Sequence, residues 1–187
     1  PGRQKRMSDM RTARMHILQA LALYDELAEP WIIAAAIHHE GLNDPKAALP
    51  FYYQTLKRAQ KPSIYADAAR AYALAGRADS SLALLDAFQR SLGPQQDSLR
   101  NQVSLEVYTY LGQHDSALVA NERLLQATGQ EEIYYFNTGK IFLMQQDTAA
   151  AIPPFTEALA RQKPMNEPLL NLVMNYHLAQ GDTAAAL

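Results

Sequence analysis

The chain has 187 residues, of which 48% are hydrophobic and 19% charged, a composition typical of a folded domain with a core rather than of a disordered segment. Its formal net charge of −2 gives no excess of Lys and Arg for binding phosphates, so we expect no nucleic-acid partner. The absence of cysteine excludes disulfides and thiolate metal sites.

The apolar segments are short. The longest uninterrupted run, Trp31–Ile37, falls far below the roughly 20 residues that span a bilayer, so we expect no membrane insertion of this segment. The basic start, Pro-Gly-Arg-Gln-Lys-Arg, is followed by no apolar signal core. A chain that opens on proline predicts that preceding residues have been removed.

The predicted elements are helices that recur with a fixed period. Alanine or serine begins an apolar helical stretch at intervals of 33 to 36 residues, at Ala13, Ala48, Ser81, Ala117, Ala151 and Ala186. Such a period is typical of solenoids, because one helix pair cannot bury its apolar face without a neighbour. We therefore predict a single array over 1–187, made of a partial first repeat whose second helix spans 8–29, repeats at 30–61, 62–97, 98–131 and 132–166, and a partial last repeat at 167–187.

The turns within the repeats carry helix-ending and helix-starting residues. Gly76, Gly112 and Gly181 are expected to end helices in the left-handed conformation, which glycine adopts without steric cost. The carboxylate and hydroxyl residues that follow are expected to cap the next helix at about 1 kcal/mol each. These are Asp79-Ser80, Asp115-Ser116, Asp147-Thr148 and Asp182-Thr183.

Prolines fall in two kinds of position. Pro62, Pro94 and Pro164 lie in the predicted loops between repeats, where a helix has to stop. Pro50 and Pro153 lie inside predicted second helices, where a proline removes a backbone hydrogen bond. We expect a bend or a widened turn at these two positions.

The stretch around Gly139 carries a family resemblance. Asn137-Thr138-Gly139-Lys140 is no phosphate-binding loop, because Tyr134 and Ile141 stand where that loop needs a glycine and a hydroxyl. Instead, Tyr135-x2-Thr138-Gly139-x2-Phe142 followed by Ala151-x3-Phe155 resembles the tetratricopeptide repeat pattern W-x2-L-G-x2-Y and A-x3-F. The resemblance implies an all-α, right-handed superhelical solenoid of about five antiparallel helix-turn-helix repeats.

The same resemblance assigns packing roles. In the third repeat, either Ser104 or Leu105 takes the small-residue position of the pattern, depending on its turn. The residues predicted to pack the two helices of each repeat are Gly139, Tyr135, Phe142, Ala151, Phe155, Ala69, Tyr72 and Ala117.

In tetratricopeptide proteins the first helix of each pair lines a concave groove. Amide and cationic side chains on such a face suit an extended partner backbone and a carboxylate. The residues predicted to bind a partner there are Asn137, Lys140, Phe136, Ile133, Met144, Asn171, Arg70 and Asp67. The family's chaperone adaptors clamp a terminal carboxylate with basic residues in consecutive repeats. The full set is not present here, so that clamp is not predicted.

A second interpretation of the same residues stays open. Asn137 and Asn171 would then bond neighbouring helices, and Lys140 would be a solvated surface residue. His38-His39-Glu40 looks like a set of metal ligands, but adjacent helical residues point about 100 degrees apart, so packing or surface roles are expected instead. No nucleophile or nucleotide motif occurs, and we predict no enzyme activity, no cofactor and no metal.

These patterns predict a non-catalytic scaffold that binds a partner protein or peptide in its concave groove. The alternative is a ligand- or peptide-sensing input domain of a larger signalling or transcriptional regulator. Self-association through exposed array ends is a third possibility. Because Ala184-Ala185-Ala186-Leu187 ends within a predicted helix without a polar cap, we expect a segment of a longer protein. The alanine-rich turns resemble bacterial members, in the cytoplasm or periplasm, with the cell envelope favoured.

Overall fold

The structure, a computed structural model, describes residues 2–161 and 167–180. Those residues form ten α-helices and no strand, so the predicted all-α class is confirmed. They divide into two compact units, with the boundary between Pro94 and Gln95. Within the described ranges, no helix has both the length and the apolar character that crossing a bilayer needs.

Unit 1 contains five helices, each packed on the next. Because the connections are short, consecutive helices run antiparallel and form hairpins. The helices are α1 (Gly2–Leu23), α2 (Ala28–Ala36), α3 (Pro45–Arg58), α4 (Pro62–Leu74) and α5 (Ala78–Ser91). The buried side of α4 is largely alanine, which allows its neighbours to approach closely.

Unit 2 repeats this arrangement. Its helices, which also pack in sequence, are α6 (Asp97–Tyr110), α7 (His114–Thr128), α8 (Glu131–Met144), α9 (Thr148–Arg161) and α10 (Glu167–Ala179). Its buried side chains are larger than those of α4 and include Phe155 and Ile141.

The helices can be set beside the predicted repeats. The pair α4–α5 falls within the predicted range 62–97. Helices α6 and α8 begin at Asp97 and Glu131, one residue before the ranges 98–131 and 132–166, and α2 begins at Ala28, two residues before the range 30–61. The first helix ends at Leu23, earlier than the predicted end at 29. The division into repeats and the single array stay predictions. Pro164, Gly181, Asp182-Thr183 and Ala186 lie outside the described residues.

Four hairpins turn through a left-handed residue. Gly76 and Gly112 adopt φ of 74° and 70°, the conformation expected of them. The other two hairpins place Asn43 and Gln146 there, with φ of 52° and 63°. These four residues supply a common register for the hairpins.

Side-chain capping occurs at the two hairpins whose left-handed residue is not glycine. Asp44 and Asp147 come directly after the non-glycine turn residues, and their Oδ1 atoms accept from the backbone N–H of Ala47 at 3.0 Å and Ala150 at 2.9 Å. The prediction that Asp79 and Asp115 are caps is wrong. The helices α5 and α7 begin at Ala78 and His114, one residue before each aspartate, so both carboxylates lie in the first turn of the helix. There their negative charge interacts favourably with the helix dipole.

The register explains the departure of the third repeat. Seven residues before the left-handed residue lie Ala69, Leu105 and Gly139, so the turn places Leu105 rather than Ser104 at the small-residue position. Nine residues after it the second helices carry Tyr52, Leu85, Asn121 and Phe155. Glycine is thus matched with phenylalanine, alanine with leucine, and leucine with the smaller asparagine.

Gly139 shows why the sizes are matched. A Cβ atom added at Gly139 would lie 2.6 Å from the ring of Phe155, which is closer than van der Waals contact permits. Both residues are buried. Gly139 therefore packs α8 against α9, and the lysine beside it belongs to a helix face.

The interior prolines do not widen their helices. Pro50 and Pro153 are exposed, and α3 and α9 remain α-helical on both sides of them. The widened turn expected at these prolines is absent because each lies on an outward face, where the carbonyl that loses its donor stays accessible to water. Among the described residues, the one π-helical turn is at Ile37–Gly41, at the end of α2.

Candidate functional site

Unit 2 contains a groove of about 400 Å³ between α6, α7 and α8. Its floor is apolar and buried, formed by Leu105, Leu124 and Ile141. The rim is mainly polar and exposed. The remaining lining residues are Ser98, Gln102, Glu106, Thr109, Tyr110, Thr128, Gln130, Ile133, Asn137 and Lys140.

Helix α8 brings three of the predicted partner-binding residues into this groove. Ile133, Asn137 and Lys140 line it together, since residues at i, i+4 and i+7 share one face of a helix. Ile133 contributes an apolar side chain that is 41% exposed. The groove therefore offers an apolar contact, an amide and a cation in a row.

The other predicted residues lie elsewhere. Phe136 packs towards Phe155, with ring centroids 6.0 Å apart. Met144 is exposed but does not line the groove, and Asn171 is exposed on α10. Asp67 and Arg70 belong to α4 in unit 1. The structure therefore brings together three of the eight.

Asn137 is held from behind by a buried amide on α7. Its Nδ2 donates to Oδ1 of Asn121 at 3.2 Å. The Nδ2 of Asn121 donates to the carbonyl of Tyr134 at 2.8 Å and to Oγ1 of Thr138 at 3.0 Å. Burial and the nearby carboxylate of Glu122 raise the pKa of Tyr134. Asn137 thus does bond a neighbouring helix while it lines the groove.

Lys140 is exposed and forms no ion pair with a described residue. Its Nζ lies 5.7 Å from the ring centroid of Phe136, a weak cation–π distance. On the same rim, Glu106 accepts from Nε2 of Gln102 at 3.4 Å. The lysine ammonium therefore remains available to an anionic group.

In unit 1 the corresponding positions are paired with each other. Asp67 and Arg70 occupy the same register as Asn137 and Lys140, nine and six residues before the left-handed residue. Nη1 of Arg70 lies 3.0 Å from Oδ1 of Asp67. Burial raises the pKa of Asp67, and the guanidinium of Arg70 opposes that rise. The carboxylate of Asp67 and the guanidinium of Arg70 therefore neutralise each other.

The two histidines of unit 1 have packing and hydrogen-bonding roles. The buried ring of His38 stacks on Phe51, with centroids 4.9 Å apart. Nδ1 of His39 lies 3.0 Å from the hydroxyl of Tyr52. Burial lowers the pKa of both histidines and raises the pKa of Tyr52. The described residues contain no cluster of His, Asp and Glu able to hold a metal.

Sequence reasoning missed Asn121, which is fully buried. A signal was present, because aligning the turns puts an asparagine inside a second helix where the other hairpins have Tyr52, Leu85 and Phe155. An amide at an apolar position needs polar partners. Those partners come from the first helix of the following hairpin, and hydrophobic periodicity does not reveal them.

No protein-family model and no curated protein matches the chain. Its structure is similar to the crystal structure of a tetratricopeptide repeat protein from Parabacteroides merdae, with a TM-score of 0.76 and 16% sequence identity, over 98% of this chain and 70% of that one. It is also similar to the crystal structure of PilW, a widely conserved type IV pilus biogenesis factor, with a TM-score of 0.72 and 19% identity, over 96% of this chain and 82% of that one. These similarities confirm the predicted repeat fold.

Proposed function

Since the chain has the fold of tetratricopeptide repeat proteins, we propose that it is a non-catalytic interaction module that binds an extended segment of a partner polypeptide. The binding site is the groove of unit 2. The observation that carries the proposal is the alignment of Ile133, Asn137 and Lys140 along one groove.

Each part of the groove suits an extended peptide. The floor of Leu105, Leu124 and Ile141 accepts an apolar side chain. The amide of Asn137 pairs with a peptide backbone, and the free ammonium of Lys140 attracts a carboxylate. The occupant is therefore a segment with an apolar residue near an acidic one.

The same lining supports a role without catalysis. Nucleophilic catalysis requires a nucleophile beside a base that is itself oriented by a third group. The groove is lined by amides, hydroxyls, one carboxylate and one ammonium, and no such set occurs among these residues. Binding is the activity for which the arrangement is suited.

The alternative, a sensing input domain, takes a small ligand in the same place. A volume of about 400 Å³ lies within the range of small-molecule pockets. The exposed rim favours an extended chain, because Ser98, Gln130 and Lys140 leave the groove open to solvent. A small ligand that displaces a bound peptide competitively would move the proposal to the sensing role.

The test starts from random linear peptides displayed on phage and selected on the whole protein. A selected peptide is synthesised, and its Kd is measured for the wild type and for the Asn137→Ala, Lys140→Ala double variant. We expect about a tenfold or larger loss of affinity, because an amide contact and a charge-assisted contact disappear. The variant should remain folded, but urea unfolding should show a loss of about 1 kcal/mol, because Asn137→Ala removes the donor to Oδ1 of the buried Asn121.

The matched control is the double variant Arg123→Ala, Gln126→Ala, which removes one cation and one amide from the exposed surface of α7, outside the groove. Its affinity should equal that of the wild type. Equal affinities for both double variants would contradict the groove as the site. Sedimentation of the protein alone over a range of concentrations tests self-association, the remaining predicted partner.

We also propose a bacterial setting with the cell envelope as the favoured compartment. The support is the alanine-rich turns of the sequence and the similarity to a bacterial repeat protein and to a pilus biogenesis factor. Cell fractionation with an antibody against the chain tests this proposal. Recovery in the cytoplasmic fraction alone would contradict it.

A further inference from the structure

The fully buried asparagine on α7 is out of keeping with its position. Asn121 is 0% exposed, and the equivalent residues of the hairpins before and after it in the sequence are the apolar Leu85 and Phe155. An amide buried without hydrogen-bond partners destabilises the folded state. Asn121 avoids that cost by bonding α8, the first helix of the next hairpin.

The surrounding acceptors determine which way the Asn121 amide points. The carbonyl of Tyr134 can only accept, and it already receives the Thr138 hydroxyl at 2.8 Å. Because that hydroxyl donates to the carbonyl, its oxygen is left to accept from Asn121. Both contacts therefore require the NH2 group of Asn121, and its Oδ1 must face Asn137.

This orientation fixes the amide of Asn137 in turn. Only the Nδ2 of Asn137 can donate to Oδ1 of Asn121, which lies at 3.2 Å. The Oδ1 of Asn137 is the branch that Asn121 does not engage, and no described residue donates to it. Asn137 lines the groove, so its unengaged carbonyl oxygen is the group offered to a ligand.

We propose that Asn121 is a positioning residue that makes Asn137 present a hydrogen-bond acceptor to the groove, so that the groove selects a peptide backbone N–H at this point. The inference rests on the proposed peptide-binding function and specifies which groove residue accepts a hydrogen bond and which donates one. Lys140 supplies a donor one turn further along α8. A ligand thus needs an N–H donor opposite Asn137 and an acceptor or anion opposite Lys140.

The first test uses the wild-type protein without any ligand. Hydrogen exchange of side-chain amides, followed by NMR, should show both NH2 protons of Asn121 protected and one NH2 proton of Asn137 protected. Rapid exchange of both Asn137 protons would mean that its nitrogen faces the groove, and the proposal would be overturned. This measurement needs no variant and so does not depend on one that folds.

The second test uses a peptide selected on the protein by phage display. Copies of the peptide that are N-methylated at one backbone position at a time are compared with the parent. For the wild type, methylation at one position should weaken binding about tenfold, since a single hydrogen bond is lost. In Asn121→Leu the same methylation should change affinity less than about threefold, because the Asn137 amide is then free to rotate.

The matched control is Thr138→Val. It removes one acceptor of Asn121 but keeps the bond to the Tyr134 carbonyl, so the orientation of the amide is preserved. If Asn121 were only structural, both variants would lose stability and both would keep the tenfold discrimination. Thr138→Val should keep it and Asn121→Leu should lose it.

The two proposals fail in different ways. If no selected peptide is sensitive to the Asn137→Ala, Lys140→Ala variant, the groove is not the site and the proposed function fails. If peptides bind the groove, but no N-methylated position is discriminated or Asn121→Leu discriminates like the wild type, the function stands and the role of Asn121 is overturned.

Discussion

The helices α4 of unit 1 and α8 of unit 2 carry polar residues at the same two register positions. On α4 these are Asp67 and Arg70, which pair at 3.0 Å; on α8 they are Asn137 and Lys140, which form no such pair. An aspartate and an arginine three residues apart on a helix neutralise each other. A neutral amide cannot do this, so the lysine beside it stays available. The difference in charge between Asp67 and Asn137 thus decides whether the neighbouring cation is paired, as on α4, or available to a ligand, as on α8.

The residue behind each pair differs as well. The position occupied by Asn121 behind Asn137 is occupied by Tyr52 behind Asp67. The hydroxyl of Tyr52 lies 3.0 Å from His39, within its own hairpin, whereas the amide of Asn121 reaches forward to the next one. Unit 1 therefore uses its buried polar group for its own packing, and unit 2 uses it to orient a groove residue.

The largest expected effect on stability comes from replacing the Gly139 and Phe155 pair of unit 2 with the alanine and leucine found at the same positions in unit 1. Gly139→Ala places a Cβ atom 2.6 Å from the Phe155 ring and should cost about 1 to 3 kcal/mol by overpacking. Phe155→Leu alone leaves a cavity and should cost about 1 to 2 kcal/mol. The double variant copies Ala69 and Leu85 and should cost clearly less than the two single costs together.

Urea unfolding of the four proteins measures that coupling. Gly139→Leu, which adds a larger side chain to the same space, should destabilise at least as much as Gly139→Ala. Additive costs in the cycle, or an unchanged transition for Gly139→Leu, would show that the glycine does not serve the packing of α8 on α9.

A smaller effect is expected at the turns. Gln146 holds φ of 63° without being glycine, so Gln146→Gly should stabilise unit 2 by about 0.5 to 1 kcal/mol. Gly76→Ala in unit 1 should destabilise by about 1 kcal/mol, and a Cβ atom there meets nothing within 4 Å, so the effect reports the backbone alone. In thermal unfolding, Tm should rise for Gln146→Gly and fall for Gly76→Ala. A change of Tm in the same direction for both variants would contradict this account of the turns.

Most of the fold could be predicted from the sequence, and the groove only in part. The period of the alanine positions and the motif around Gly139 predict helical hairpins, because both depend on spacing along one chain. Helical periodicity likewise places Ile133, Asn137 and Lys140 on one face. The second interpretation predicted that Asn137 bonds a neighbouring helix, but not that its partner is Asn121. The pairing of Asp67 with Arg70 was not predicted either. Those contacts depend on rotamers and on neighbours that are distant in sequence.

Mild acid should weaken unit 1. Burial lowers the folded-state pKa of His38 and His39 below the unfolded value near 6.5, so the unfolded state binds more protons in that window. The stability of unit 1 therefore falls as the pH drops below about 6.5. The raised pKa of Asp67 acts in the opposite direction, because the folded state takes up that proton more readily.

The single tryptophan, Trp31, makes this measurable, since it belongs to α2 in unit 1. Urea midpoints followed by its fluorescence should fall between pH 7 and pH 5.5. The fall should be smaller in His38→Phe, which keeps a ring against Phe51 and removes one titrating group. A midpoint independent of pH would contradict the role given to the histidines.

The smallest effect is expected for Asp67→Asn, which gives α4 the amide that α8 has. The pair with Arg70 is partly exposed, with 43% of the Asp67 side chain accessible, and such pairs contribute about 0.3 to 0.5 kcal/mol. Burial already disfavours the charged form of Asp67 and raises its pKa, so the neutral residue relieves that penalty and offsets the lost pair. We expect a change within about 0.5 kcal/mol in urea unfolding, and a reduced dependence on salt. A loss above about 1 kcal/mol would mean that the ion pair stabilises unit 1. Stability, rather than the absence of a binding role, would then explain why Asp67 and Arg70 are paired on α4.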